Sequence, residues 1–196
     1  MLEFLKEKCI TIDQVNPELL KDFTTTYTNA HTLEIYLKQQ ALFDQESGDN
    51  CTYVVIDRVT NSIMAYFSLK AGSVRLYHAT NKDYIDLLPG IELSMFAVNS
   101  AYKNCLKQKG QNKSIGVGEY VFLRYVLPVV HNISKQIGVN IFYLFALPDE
   151  KLIHYYQQKL GFHIPQPLEI RYTKPYTPSF DEGCVFMYQM LKKRSC

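Results

Sequence analysis

Two apolar runs constrain this chain more than any other feature: Ile91-Glu-Leu-Ser-Met-Phe-Ala-Val98 and Asn140-Ile-Phe-Tyr-Leu-Phe-Ala-Leu147. In the first, Ile91, Leu93, Met95 and Ala97 point to one face and Glu92, Ser94, Phe96 and Val98 to the other, and only a strand covered on both sides tolerates that much apolar surface. Between the runs, Val117, Tyr120, Leu127 and Val130 recur at helical spacing, completed by Leu123 or Arg124 and by Ile133 or Ser134, until Gly138 closes the pattern. Pro128 removes a backbone donor and predicts a kink there. Strand, helix, strand is a βαβ unit, so the two runs are expected to lie parallel with a right-handed crossover.

At the mouth of that helix stands Lys113-Ser-Ile-Gly-Val-Gly-Glu119. Two glycines one residue apart leave backbone N–H groups uncovered where an anion can sit. The same pair also serves a tight strand-to-helix turn, so the loop alone does not choose. Charge supports the anion. The net charge of +2 hides nine acids against four Lys/Arg in residues 1–50, and seventeen basic residues against ten acids in the rest. Lys103, Lys107, Lys109 and Lys113 stand in a stretch without an acid, which suits a polyanion by electrostatic steering. A solvated loop accounts equally for Lys107 and Lys109.

The remainder is ordered around this unit. Cys9–Ile12 reads as a strand, and Asn16-Pro17 opens a helix whose apolar stripe is Leu19, Leu20 and Phe23. A second helix is expected from His31 to Asp44, burying Leu33, Leu37, Ala41 and either Tyr36 or Leu42. Thr52–Asp57 and Ser62–Lys70 form an antiparallel hairpin by their β-branched and aromatic content. In residues 71–90, Ser73–His78 reads as extending a strand, Asn81–Leu88 as a helical turn, and Pro89-Gly90 ends the segment. A short helix follows Pro148-Asp149 and ends at Gly161-Phe162. The tail makes a proline-bounded excursion from Pro165 to Pro178, then a strand over Cys184–Leu191.

With 196 residues, 47% of them hydrophobic and 20% charged, one domain spanning 1–196 is expected. No apolar run reaches the roughly 20 residues that span a bilayer, and the N-terminus lacks a signal-peptide core, so a cytoplasmic protein without a membrane partner is expected. Five cysteines without a CxxC and five histidines without ligand spacing argue for reduced thiols and no metal site.

The order of strand Ile91–Val98, Lys113-Ser-Ile-Gly116-Val-Gly118, helix, strand Ile141–Leu147 and a Tyr-rich helix ending Lys-Leu-Gly-Phe162 resembles the GNAT family of acetyl-CoA-dependent N-acetyltransferases. The loop is similar to that family's Gln/Arg-x-x-Gly-x-Gly/Ala motif, with Lys113 at the basic or amide position. Leu33-Glu-Ile-Tyr-Leu-Lys-Gln-Gln40, Ala65-Tyr-Phe-Ser-Leu-Lys70 and Phe96-Ala-Val-Asn99 further resemble the acetyltransferase toxins of bacterial toxin–antitoxin pairs, which acetylate aminoacyl-tRNA. The resemblance implies an α/β (α+β) fold, GNAT-like, with a mixed, mostly antiparallel sheet, a central parallel strand pair and helices on both faces. It implies acetyl-CoA (coenzyme A), with the backbone of Phe96, Ala97 and Val98 holding the pantetheine arm. Lys113, Ser114, Ile115, Gly116, Val117, Gly118 and Glu119 would hold the pyrophosphate.

The implied reaction is direct attack of a primary amine on the thioester. Tyr156 is the candidate acid, its phenol near pKa 10 matched to a thiol, or else an aromatic packing between helix and sheet. Glu92 is a base acting through water or a structural hydrogen-bond partner. Glu119 caps the helix. The family's tyrosine falls where this chain has Gln157, so Tyr156, Tyr155 or another donor takes that role. The stretch from Tyr102 to Lys113 is longer than the family places there, which predicts a hairpin or loop over the cofactor. The acceptor is not legible. An ordinary amine acetylase, a toxin acting on charged tRNA with an antitoxin partner, and a non-catalytic coenzyme-A-binding module all accommodate these residues, as does a homodimer.

Overall fold

Six strands follow one another across a single sheet in chain order: β1 (Glu7–Thr11), β2 (Cys51–Asp57), β3 (Ser62–His78), β4 (Asn81–Val98), β5 (Ile141–Ala146) and β6 (Val185–Met190). The helices are α1 (Pro17–Lys21), α2 (31–47), α3 (Ser100–Gln108), α4 (117–136) and α5 (Glu150–Gln158). The computed structural model describes residues 7–25, 31–78, 81–108, 116–166 and 183–191. β1–β2, β2–β3 and β5–β6 pair antiparallel, and β4–β5 pairs parallel, the mixed sheet expected. The chain folds as two compact units, Met1–Lys70 with Ser94–Val126 and Ala71–Leu93 with Leu127–Cys196.

In the first unit, α1 starts where Asn16-Pro17 predicted, the Asn16 side chain accepting from the Glu18 N–H at 3.0 Å. α2 contains a π-turn over Tyr36–Gln40, closed by the Ala41 N–H on the Tyr36 carbonyl. A π-turn brings residues five apart into line. Tyr36, Leu37 and Ala41 therefore enter the core together with Val54, Ile56, Tyr66 and Ala97, while Leu42 stays outside at 45% exposure. Between the two sequence alternatives, the structure takes Tyr36.

The stretch after Val98 is a helix, α3, and the expected hairpin or loop is corrected over 100–108. Asn99 caps it, its Oδ1 accepting from the Ala101 N–H at 3.1 Å. Tyr102 anchors it by donating to the buried Asp57 carboxylate at 2.9 Å, and Asp57 in turn holds the β2–β3 turn through the Val59 N–H at 2.8 Å.

α4 carries the second π-turn, Phe122–Val126, immediately before Pro128. The proline cannot donate to a carbonyl four residues back. Instead of breaking there, the helix runs on to Gln136.

In the second unit, β4 extends back to Asn81, which corrects the expected helical turn over Asn81–Leu88. The side chains alternate, Leu87 at 55% exposure and Leu88 at 3%, the period of a strand. Pro89-Gly90 does not end the segment but lies within this strand, because neither residue disrupts its pairing. The Pro89 carbonyl accepts from the Asn140 N–H at 2.9 Å. Gly90 faces Ile141 in the parallel ladder, where a Cβ would stand 2.6 Å from the Ile141 Cγ2. Glycine is the residue that lets β4 and β5 approach. α5 begins at Asp149, whose side chain accepts from the Leu152 N–H at 2.8 Å, and is followed by Gly161 with φ +73°. Of the proline-bounded tail, 167–178 lies outside the described residues.

Candidate functional site

The helix N-terminus at Gly116 is built differently from the helix starts at Asn16, Asn99 and Asp149. Asn16 and Asp149 each cover a first-turn amide with a side-chain oxygen. Gly116 has none to offer, and no side-chain cap bond is present. The first intrahelical bond of α4 runs from the Tyr120 N–H to the Gly116 carbonyl at 2.9 Å, so the amides of Val117, Gly118 and Glu119 precede the ladder. Glu119 was expected to cap, and among the described residues it makes no such bond to Gly116.

Gly116 also tests whether a pyrophosphate fits. Its φ of −67° and ψ of 153° are open to any residue, and a Cβ there would meet nothing within 4 Å. Among the described residues nothing requires glycine at this position, and the missing Cβ leaves the helix-start amides open to a ligand's approach. Lys113, Ser114 and Ile115 lie outside the described residues.

Two contacts hold this helix start in place. Phe96 on β4 packs at 6.2 Å on Phe122, which is fully buried in α4. The Glu7 carboxylate of β1 accepts from both Tyr120 at 2.6 Å and Tyr125 at 2.7 Å. In a regular α-helix residues five apart point about 140° away from each other, and the π-turn beginning at Phe122 brings these two to the same carboxylate. Burial, then the Glu7 charge, pushes the Tyr120 phenol up to about 12. This clamp escaped sequence analysis. A tyrosine pair at i, i+5 carries no signal until a π-turn is known.

The parallel ladder spans three pairs, from Gly90↔Ile141 to Glu92↔Tyr143. Phe96, Ala97 and Val98 lie beyond its end. Ala97 is buried in the core beneath α2 while Phe96 packs on α4, so consecutive residues face helices on opposite sides of the strand. The side chains of Ala97 and Phe96 serve packing, and the ladder to β5 ends at Glu92, before their backbone.

Glu92 and Tyr156 belong to the second unit. Glu92 is 6% exposed and accepts from the Tyr143 hydroxyl at 3.2 Å. Burial first, and Glu92 beside it, push the Tyr143 phenol well above the usual tyrosine range, with the Ser73 backbone pulling it partly back. Gly72 closes this cluster, since a Cβ there would stand 1.9 Å from the Tyr143 hydroxyl oxygen. Sequence analysis missed Tyr143 because only the register across β4 and β5 sets it opposite Glu92.

Tyr156 is buried, its ring edge-on to Phe162 at 5.8 Å and to Tyr155 at 6.1 Å, while Tyr155 is half-buried. Burial pushes its phenol up to about 12, away from the value near 10 that would match a thiol. The phenol thus holds its proton firmly. Among the described residues no cluster of His, Cys, Asp and Glu is arranged for a metal ion, and no helix is long and apolar enough to cross a membrane.

No family model matches the sequence, and no curated protein does. Solved structures do. An AtaT toxin with a tyrosine changed to phenylalanine, bound to the C-terminus of the antitoxin AtaR and acetyl-CoA, superposes with a TM-score of 0.62 at 16% identity, covering 94% of this chain and 93% of that one. A tyrosine-to-phenylalanine mutant of KacT gives 0.62 at 17% identity, over 94% and 95% of the two chains. AtaT complexed with acetyl-methionyl-tRNAfMet gives 0.61 at 14% identity, over 92% and 94%.

The chain has the fold of these proteins. The likeness runs over nearly the full length of both partners.

Proposed function

We propose that this chain is an acetyl-CoA-dependent N-acetyltransferase. The observation that carries it is the bare glycine start of α4, which in chain order follows β4 and precedes its parallel partner β5, and whose amides are left for an anion. Bound acetyl-CoA supplies the activated acyl group. Gly116, Val117, Gly118 and Glu119 offer it their amides, with Lys113, Ser114 and Ile115 completing the cradle. The backbone of Phe96, Ala97 and Val98 holds the pantetheine arm. Tyr156 donates a hydrogen bond to the departing sulfur, and Glu92, oriented by Tyr143, takes up the amine proton through water.

The acceptor we assign is the amino group of aminoacyl-tRNA, and the partner an antitoxin, in a bacterial cytoplasm. Support comes from fold neighbours that are toxins, one complexed with an acetylated aminoacyl-tRNA and one with an antitoxin and acetyl-CoA. The test is acetylation of charged bulk tRNA by the purified protein, alongside growth on expression. Acetyl transfer and a growth arrest relieved by Tyr156→Phe are expected. Turnover of small amines with no action on charged tRNA would make it an ordinary amine acetylase. Cofactor binding without turnover of any amine would make it a binding module, and no binding at millimolar acetyl-CoA would end the reading.

A further inference from the structure

β3 is irregular close to where β4 ends. In the β2–β3 ladder Val55 faces Ala65 and Ile56 faces Ile63, so Met64 is the extra residue of a β-bulge. Consecutive carbonyls of a regular strand serve opposite neighbours. Here those of Ile63 and Met64 both accept from one residue, Asn99: its side-chain Nδ2 donates to Ile63 at 2.8 Å and its backbone N–H to Met64 at 2.9 Å. The Asn99 Oδ1 accepts from the Ala101 N–H and, at 3.4 Å, from the Thr24 N–H. The Thr24 carbonyl in turn accepts from the Ser100 N–H at 2.8 Å and from its hydroxyl at 3.0 Å. Thr25 donates to the Glu34 carboxylate of α2 through both its N–H, at 2.6 Å, and its hydroxyl, at 2.9 Å. Asn99 is 3% exposed, and this one buried side chain joins the bulge of β3, the start of α3 and the segment tied to α2.

The fastening acts on the residues just before it. The Val98–Asn99 peptide is trans, and a trans peptide sets its N–H and C=O on opposite sides. With the Asn99 N–H given to β3, the Val98 carbonyl points to the other edge of β4. By the alternation of a strand, the N–H and C=O of Phe96 share that direction. The ladder to β5 has already ended at Glu92. Capping α3 does not explain the choice of residue, since a cap needs a single side-chain oxygen and serine or aspartate supplies one equally well. The Nδ2 bond to the bulge is what asparagine adds.

We propose that Asn99 is a positioning residue for the arm of coenzyme A. By clamping the Met64 bulge it fixes the direction in which the backbone of Phe96 and Val98 is offered to the amide groups of the arm. This rests on the acetyltransferase reading and adds to it a residue that acts through its neighbours and touches neither cofactor nor acceptor.

The experiment measures binding to the full chain by calorimetry with two probes: acetyl-CoA, and adenosine 3′-phosphate 5′-diphosphate, which carries the phosphates without the arm. Asn99→Ser keeps a cap oxygen and drops the bond to Ile63. Asn99→Asp keeps the shape and both acceptor bonds and drops only the donor, so either folded variant alone suffices, and a melting curve on each fixes the assay temperature. Wild type should bind acetyl-CoA about tenfold or more tightly than the armless probe. Both variants should lose about tenfold in affinity for acetyl-CoA, the worth of a hydrogen bond or two along the arm, while staying within about twofold for the armless probe. A merely structural tie would lower the melting temperature and leave the ratio of the two affinities where it was. An unchanged ratio, or an equal loss on both probes, overturns the proposal. A wild type that binds both probes equally also overturns it while leaving the phosphate site standing, and one that binds neither overturns the acetyltransferase reading itself.

Discussion

Replacing Gly116 with aspartate should move stability and cofactor binding in opposite directions. Residue 116 has dihedral angles that any residue adopts, and open space where a side chain would go. Aspartate is among the preferred caps and exceeds glycine by a few tenths of a kcal/mol. Removing a glycine from a compatible position contributes about 0.4–1 kcal/mol more through the unfolded chain. The free protein should thus gain about 1 kcal/mol, or about 2–4 °C in Tm at this size. The same carboxylate occupies the amides that a pyrophosphate needs and repels it. At about 4 Å and an effective dielectric near 20, one charge pair costs about 4 kcal/mol. Residue 116 is exposed, and solvent screening reduces that figure, leaving a loss of tenfold or more in affinity. Thermal denaturation with and without acetyl-CoA reads both effects. Wild type at about 100 times its Kd should gain about 2.7 kcal/mol from the ligand, a rise of about 5–11 °C. In Gly116→Asp the starting Tm should be higher and the ligand-induced rise nearly gone. A variant that melts lower, or one that keeps the wild-type rise, would refute the assignment of this helix start to the phosphates.

Gly72→Ala should force the Tyr143 hydroxyl away from Glu92, because the new Cβ would stand 1.9 Å from it. A loss of about 2–4 kcal/mol in chemical denaturation is expected from overpacking and an unsatisfied carboxylate. Adding Tyr143→Phe should recover at least about 1 kcal/mol relative to the sum of the two single losses, whereas strict additivity would contradict the contact. Tyr156, held near 12 in the fold against about 10 unfolded, contributes stability that is complete below pH 10 and lost as pH rises towards 12. Tm measured across that window should fall less steeply in Tyr156→Phe than in wild type, and parallel curves would show that the phenol is not sequestered as described.

The βαβ unit was legible because its signals are local: two runs too apolar for a half-wet strand, a helical stripe between them, and glycines at the junction. Gly90 looked like a terminator, yet its use lies across the sheet, where Ile141 leaves no room for a side chain. The long strands were harder for a related reason. Asn81–Leu88 has residues common in helical turns, and its extended form follows from tertiary context that local propensity does not contain. In the site, Gly116 was legible by residue type, whereas Tyr143, Glu7 and Tyr125 became relevant only through register and a π-turn. Tyr36 stood as one of two candidates for a core position, and only the π-turn of α2 decides for it over Leu42.

The two units of this protein are braided along the chain: the first takes Met1–Lys70 and Ser94–Val126, the second Ala71–Leu93 and Leu127–Cys196. Neither can be cut out as a continuous fragment. During synthesis, β4 emerges long before its parallel partner β5, so the ladder at Gly90–Glu92 has to wait for about fifty further residues, at least 2–10 seconds at ordinary elongation rates. Glu92 acquires its buried hydrogen bond only when Tyr143 arrives. A chain that stops before Tyr143 therefore carries the glycine loop without the assembled groups proposed to move protons.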